Sequence, residues 1–142
     1  MNKNKVYIYN ESGRARLTKK KLENVAIAAL NGEGIKQSEI NIILLDDKAI
    51  HEMNKEYLDH DYPTDVISFR LDDEPLAGEV YISADTAEVQ AQEYKVSLAD
   101  ELMRLAVHGT LHIIGYDDAS TEDRAAMSAL ENKYMEEALR SK

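Results

Sequence analysis

The chain contains no cysteine and no tryptophan, a single phenylalanine and only two prolines in 142 residues. Without cysteine there can be no disulfide, thiolate zinc site, iron–sulfur cluster or thiol nucleophile. No window approaches the roughly 18 consecutive apolar residues of a membrane span. Residues 1–9 also lack the apolar stretch of about 7–15 residues that a signal peptide needs. The expectation is a cytoplasmic protein with no membrane partner. Internal repeats, low-complexity tracts and long linkers are absent too, so the length reads as one domain.

Basic charge is scarce: 17 Lys and Arg stand against 27 Asp and Glu, for a net charge of -10. That balance disfavours indiscriminate binding to nucleic acid, yet it is uneven. Residues 1–30 carry seven basic side chains (Lys3, Lys5, Arg14, Arg16, Lys19, Lys20, Lys21) and two acidic ones, Glu11 and Glu23. A basic end on an acidic body could orient a polyanion. A solvated helix face beside the terminus is the plainer account.

Hydrophobic periodicity gives the elements. Residues 4–9 read as a strand, and Thr18 as the cap of a helix running to about residue 31 with Leu22, Val25, Ala26, Ala29 and Leu30 on one face. Gly32 and Gly34 end it. Ile40–Leu45 reads as a strand, Asp46-Asp47 as the cap of a helix over about 47–58, and Pro63 as a break. Strands follow at Asp65–Leu71 and Gly78–Ser83, then helices at about 84–94, 98–114 and 121–139. The order β-α-β-α-β-β-α-α-α predicts an α+β domain with a small mixed sheet of about four strands and about five helices.

The chemistry concentrates in residues 108–118, HGTLHIIGYDD. His108 and His112, four residues apart on a helix, stand one turn above each other on the same face, where two imidazoles can share a metal ion. Gly115 can end the helix in the left-handed region and turn the chain so that Asp118 returns to the same point. Two histidines and a carboxylate leave a coordination position for water, as in catalytic zinc sites. The spacing is that of the metzincin proteases, but Gly109 stands where they have the glutamate base, so their mechanism is not expected. The alternative is a chance histidine pair hydrogen-bonded in a core. Against it, Leu102, Met103, Ala106, Val107, Leu111, Ile113 and Ile114 surround the helix, and burying two unpaired histidines there is costly.

Two further polar residues share the histidine face. Arg104 could meet a phosphate oxygen, and Glu101 could hold a histidine N–H; a mutual ion pair is the simpler role for both. Ser97 with Asp100 reads as a helix cap. His51 and His60 fall outside the motif, in or just after a polar helix, and are expected at the surface. The block Thr64–Phe69 either orders the chain entering a buried strand or lines a cleft.

At these residues the chain resembles the YbeY family of metal-dependent endoribonucleases and rRNA maturation factors, marked by H-G-x-L-H-x-x-G-Y-D-H. Asn54 to Tyr57, Asp61 to Phe69 (DYPTDVISF) and Gly78 to Ser83 (GEVYIS) resemble the family's other blocks, in the same order. The resemblance implies a cytoplasmic zinc hydrolase that cuts single-stranded RNA, acting on the 3′ end of 16S ribosomal RNA and in late ribosome quality control, with the ribosome or its assembling small subunit as partner. His108 and His112 carry over as ligands. The family's third ligand is histidine, whereas this chain has Asp118, which implies a less acidic bound water and tolerance of harder ions such as Mn²⁺. The family's arginine after the tyrosine is here Leu58, with Arg104 and Arg70 as candidate substitutes. The alternatives are a ribosome-assembly binding factor with a structural metal and little or no nuclease activity, and a zinc hydrolase of a small non-nucleic substrate.

Overall fold

The structure, a computed structural model, describes residues 2–14, 19–59 and 64–140. Its elements are β1 (Lys3–Asn10), α1 (Lys19–Gly32), β2 (Gln37–Leu45), α2 (Asp47–Leu58), β3 (Val66–Asp73), β4 (Leu76–Ser83), α3 (Ala84–Tyr94), α4 (Leu98–Ile114) and α5 (Thr121–Arg140). Element types and order match the sequence expectation: among the described residues, one α+β domain has four strands and five helices. The Thr18 cap, His60 and Pro63 lie outside the described residues.

The sheet order is β1-β2-β4-β3, parallel for the first two pairs and antiparallel for β3 with β4. Strand β3 is therefore an edge strand. Two strands run longer than their apolar cores suggest. β2 begins at Gln37 because exposed Gln37 and Glu39 alternate with buried Ser38, while their backbones pair with Lys3 and Lys5. The hairpin likewise closes up to Asp73 and Leu76, which pair across the turn. Backbone pairing carries polar residues into strands that hydrophobic alternation cannot register.

One face of the sheet packs on α1 and α4. Leu22, Val25, Ala26, Ala29 and Leu30 of α1 meet Ile40, Ile42 and Leu44 of β2 and the apolar side of α4 in a single core. Ser97 caps α4 by accepting the Asp100 N–H at 3.0 Å, and Gly115, at φ 133°, ends it. Helix α4 approaches β4 so closely at Gly109 that an added Cβ would lie 2.4 Å from Val80 Cγ1 and 2.9 Å from Ser68 Oγ. Position 109 thus faces the sheet, away from the histidines, and holds nothing larger than hydrogen without a shift. The missing glutamate has a packing reason.

Candidate metal centre

His108 and His112 lie on the last turns of α4, half-buried, with their Nε2 atoms 3.1 Å apart. Beyond Gly115 the chain doubles back: the Tyr116 N–H bonds to the Leu111 carbonyl at 3.0 Å. That reversal brings the Asp118 carboxylate to the same point, its Oδ2 3.3 Å from each Nε2. The structure therefore brings together the three side chains singled out from spacing, as the described group able to hold a metal ion.

The outer nitrogens fix which way the rings are loaded. His112 Nδ1 lies 2.9 Å from the Tyr116 carbonyl oxygen, which can only accept, so Nδ1 carries the proton. His108 Nδ1 lies 2.6 Å from Glu131 Oε2, a carboxylate oxygen from α5 that likewise accepts a hydrogen bond from the ring N–H. In the neutral tautomers both Nε2 atoms then present lone pairs to each other and to Asp118. Three acceptors facing one another need a cation between them. Their separations of 3.1–3.3 Å also suit tetrahedral zinc, whose ligand atoms at about 2.0–2.2 Å from the ion stand roughly 3.3 Å apart. The donor set fits a divalent ion.

The electrostatics favour positive charge here. Burial opposes a charged His108, but the hydrogen bond to Glu131 and the negative charges of Glu131, Asp118 and Asp65 outweigh it and hold the imidazole pKa above its ordinary value.

Glu101 does not take the place expected of it. The partner that orients His108 is Glu131, and the Tyr116 carbonyl orients His112. Seven residues separate Glu101 from His108, a rise of about 10.5 Å along the helix, beyond the reach of a glutamate. Burial pushes the Glu101 carboxyl up to about 7, against the pull of Arg104 and with help from Asp65 and Glu131. Arg104 also stands apart from the three-ligand group, bonded to Glu131 at 3.2 Å and Asn132 at 3.4 Å. Glu131 was not singled out from the sequence. Its one signal was a carboxylate interrupting the stripe Met127, Tyr134, Ala138 on the buried face of α5.

The three-ligand group sits in a cleft of about 510 Å³ along the edge strand, bordered by Thr64 to Ser68, Leu58 and Arg70. Thr64 to Ser68 of the block Thr64–Phe69 therefore line a cleft, while Phe69 packs edge-on between Tyr57 and Tyr81. Of the two candidate substitutes for the arginine replaced by Leu58, Arg70 borders this cleft and Arg104 does not. Arg14, from the basic N-terminal segment, is engaged by Asp85 at 2.7 Å and Glu88 at 2.5 Å. His51, on α2, is half-buried and is not a member of the group.

Comparison with known proteins agrees with this geometry. The family model described as endoribonuclease YbeY matches residues 7–139. The chain belongs to that family. It is 40% identical over 129 residues to the endoribonuclease YbeY of Chloroherpeton thalassium, covering 90% of this chain and 92% of the relative. It is 40% identical over 135 residues to that of Aquifex aeolicus, covering 92% and 89%. Its fold is similar to the solution structure of TM1509 from Thermotoga maritima, with a TM-score of 0.67, 30% identity, and coverage of 94% of this chain and 88% of the other. Membership makes the chain a hydrolase of the endoribonuclease class. Within this YbeY chain, Asp118 occupies the third place of the motif with a single oxygen equidistant from both imidazoles.

Proposed function

We propose that the protein is a divalent-metal-dependent endoribonuclease that cuts single-stranded RNA in the cytoplasm, with ribosomal RNA, including the 3′ end of 16S rRNA, as its substrate. Three lone-pair-bearing atoms converging at the floor of a cleft, in a chain of this family, carry the reading. His108, His112 and Asp118 would hold the ion, zinc by ligand type, with Mn²⁺ tolerated because of the carboxylate. A bound ion supplies Lewis-acid polarisation of a phosphoryl oxygen and acidifies coordinated water.

The remaining work falls to side chains bordering the cleft. Arg70 offers a guanidinium to the RNA backbone; its pairing with Asp73 at 2.8 Å is largely exposed and so is cheaply exchanged. Asp65 is held at the start of β3, with its carbonyl accepting the Ser83 N–H at 2.9 Å and its Oδ2 accepting from Gln90 at 3.2 Å. It is the other carboxylate bordering the cleft among the described residues, and we assign it the proton of the attacking hydroxyl. Glu131 and the Tyr116 carbonyl keep both imidazoles aimed.

The test is cleavage of a labelled single-stranded RNA by purified protein. Chelation should abolish cleavage, and zinc or manganese should restore it. Cleavage that persists in chelator, or equally in His112→Ala, would overturn the proposal. Tight RNA or ribosome binding without cleavage would favour the assembly-factor alternative.

A further inference from the structure

A second cavity, of about 220 Å³, opens between α3, α4 and α5. It meets the catalytic cleft at Asp65, His108 and Asp118, which border both. Leu105 and Met127 give it apolar walls, and Tyr94, 59% exposed, borders it. Glu101 also lines it, only 2% exposed, and its Oε1 has no hydrogen-bond partner among the described residues. Arg104 Nε lies 3.9 Å from that oxygen, near enough to attract it and too far to bond. A buried acceptor without a partner among the described residues, on a residue that lines a cavity, marks a place for a donor.

The lining narrows the ligand. Asp65, Glu101, Asp118 and Glu131 offset Arg104 and Arg124, so the cavity is not built for a free anion. The three-ligand group does not extend to Glu101, so a second metal ion is not indicated among the described residues. Apolar walls, an exposed aromatic ring and a carboxyl acceptor suit a flat heterocycle with N–H donors. Single-stranded RNA presents such rings, and proteins read them by stacking and by hydrogen bonds to the Watson–Crick edge.

We propose that this cavity receives the base next to the scissile phosphate and selects guanine through Glu101. A strand with its phosphate at His108, His112 and Asp118 has a neighbouring base within reach, because the two cavities share Asp65, His108 and Asp118. Guanine carries N1–H and an exocyclic amino group side by side, a pair that one carboxylate can accept together. Adenine and cytosine offer only the amino group beside a ring acceptor, and uracil flanks its one N–H with carbonyls that would repel the carboxylate. Donors arriving from the base also favour the ionised form of Glu101.

The inference rests on the RNA-cleaving reading for its substrate, while binding of free nucleotides tests it without cleavage. The four nucleoside 5′-monophosphates carry the same phosphate, so differences among them report the base. Titrated into the full chain and followed by NMR or calorimetry, GMP should bind about 10-fold tighter than AMP, CMP or UMP. Glu101→Gln, checked for folding by its melting curve, should remove that preference. Tyr94→Ala, at an exposed position, should weaken GMP by roughly 5-fold or more through lost stacking. Equal affinities for the four nucleotides, or a guanine preference that survives Glu101→Gln, would overturn the proposal. RNA cleavage without nucleotide discrimination sinks the pocket and spares the nuclease reading. Guanine selection without cleavage supports the pocket and sinks the nuclease reading.

Discussion

Two carboxylate clusters flank the same helices and are built to opposite rules. On one side Glu33, just past α1, accepts hydroxyl hydrogen bonds from Tyr116 and Tyr134, tying together α1, the loop after α4, and α5. The Tyr134 ring fits there because Gly32 has no side chain; an added Cβ would lie 2.3 Å from it. On the other side Glu101, Glu131, Asp118 and Asp65 crowd around His108 and Arg104, and one buried oxygen has no donor among the described residues. The first cluster is closed: each Glu33 oxygen has a neutral donor, and burial with the Glu33 contact raises the pKa of Tyr134. The second is open, with negative charge in excess and acceptors facing acceptors. Closed polar clusters hold elements together; open ones wait for an ion or a ligand.

Substitutions can break this contrast from either side. The largest effect is expected from Asp65→Asn, which should lower kcat for RNA cleavage by about 10²–10⁴-fold through loss of the proton acceptor. Zinc affinity and melting temperature should stay near those of the parent. Glu131→Gln should weaken metal binding by about 10–100-fold, because His108 loses its ionic orienting partner; competition with a chromophoric chelator measures this.

Glu101 tests the open cluster through stability. Its carboxyl titrates near 7 in the fold against 4.5 in the free group. Below 4.5 both states hold the proton, and between 4.5 and 7 the fold keeps a proton that the unfolded chain releases. Folding stability from this group therefore falls as pH rises through that window and stays low above it. Glu101→Gln should flatten that slope and stabilise the protein by about 1–3 kcal/mol above neutral pH, measured by denaturant unfolding across pH. The smallest effect belongs to the closed cluster: Tyr134→Phe should cost about 1–2 kcal/mol of stability, with zinc affinity and cleavage unchanged. A catalytic loss there, at retained fold, would dissolve the distinction between the clusters.

How far the sequence speaks follows from the range of each signal. The order of elements was legible because helix and strand periods are local. So was the convergence of His108, His112 and Asp118, since a four-residue spacing and one glycine turn define it within a single segment. Glu131 was not legible, because its meeting with His108 depends on how α5 folds back on α4, 23 residues on. Glu101 was assigned a role by angular position on the helix, which ignores two turns of axial separation. The polar start of β2 and the polar end of β3 were missed because only pairing with a neighbour places them in strands. Leu58 shows the complementary case: an expected arginine is absent, and of the two candidate substitutes named from the sequence, only three dimensions show that Arg70 borders the cleft and Arg104 does not.

The central claim, that two imidazoles and one carboxylate grip a single divalent ion, is tested most directly by titrating zinc into metal-free protein while following the ring nitrogens of all histidines by NMR. One equivalent should saturate binding and shift the Nε2 signals of His108 and His112 together, with both Nδ1 atoms still protonated, and Asp118→Ala should weaken the binding. Saturation that leaves either Nε2 unmoved, or undiminished affinity in Asp118→Ala, would contradict it.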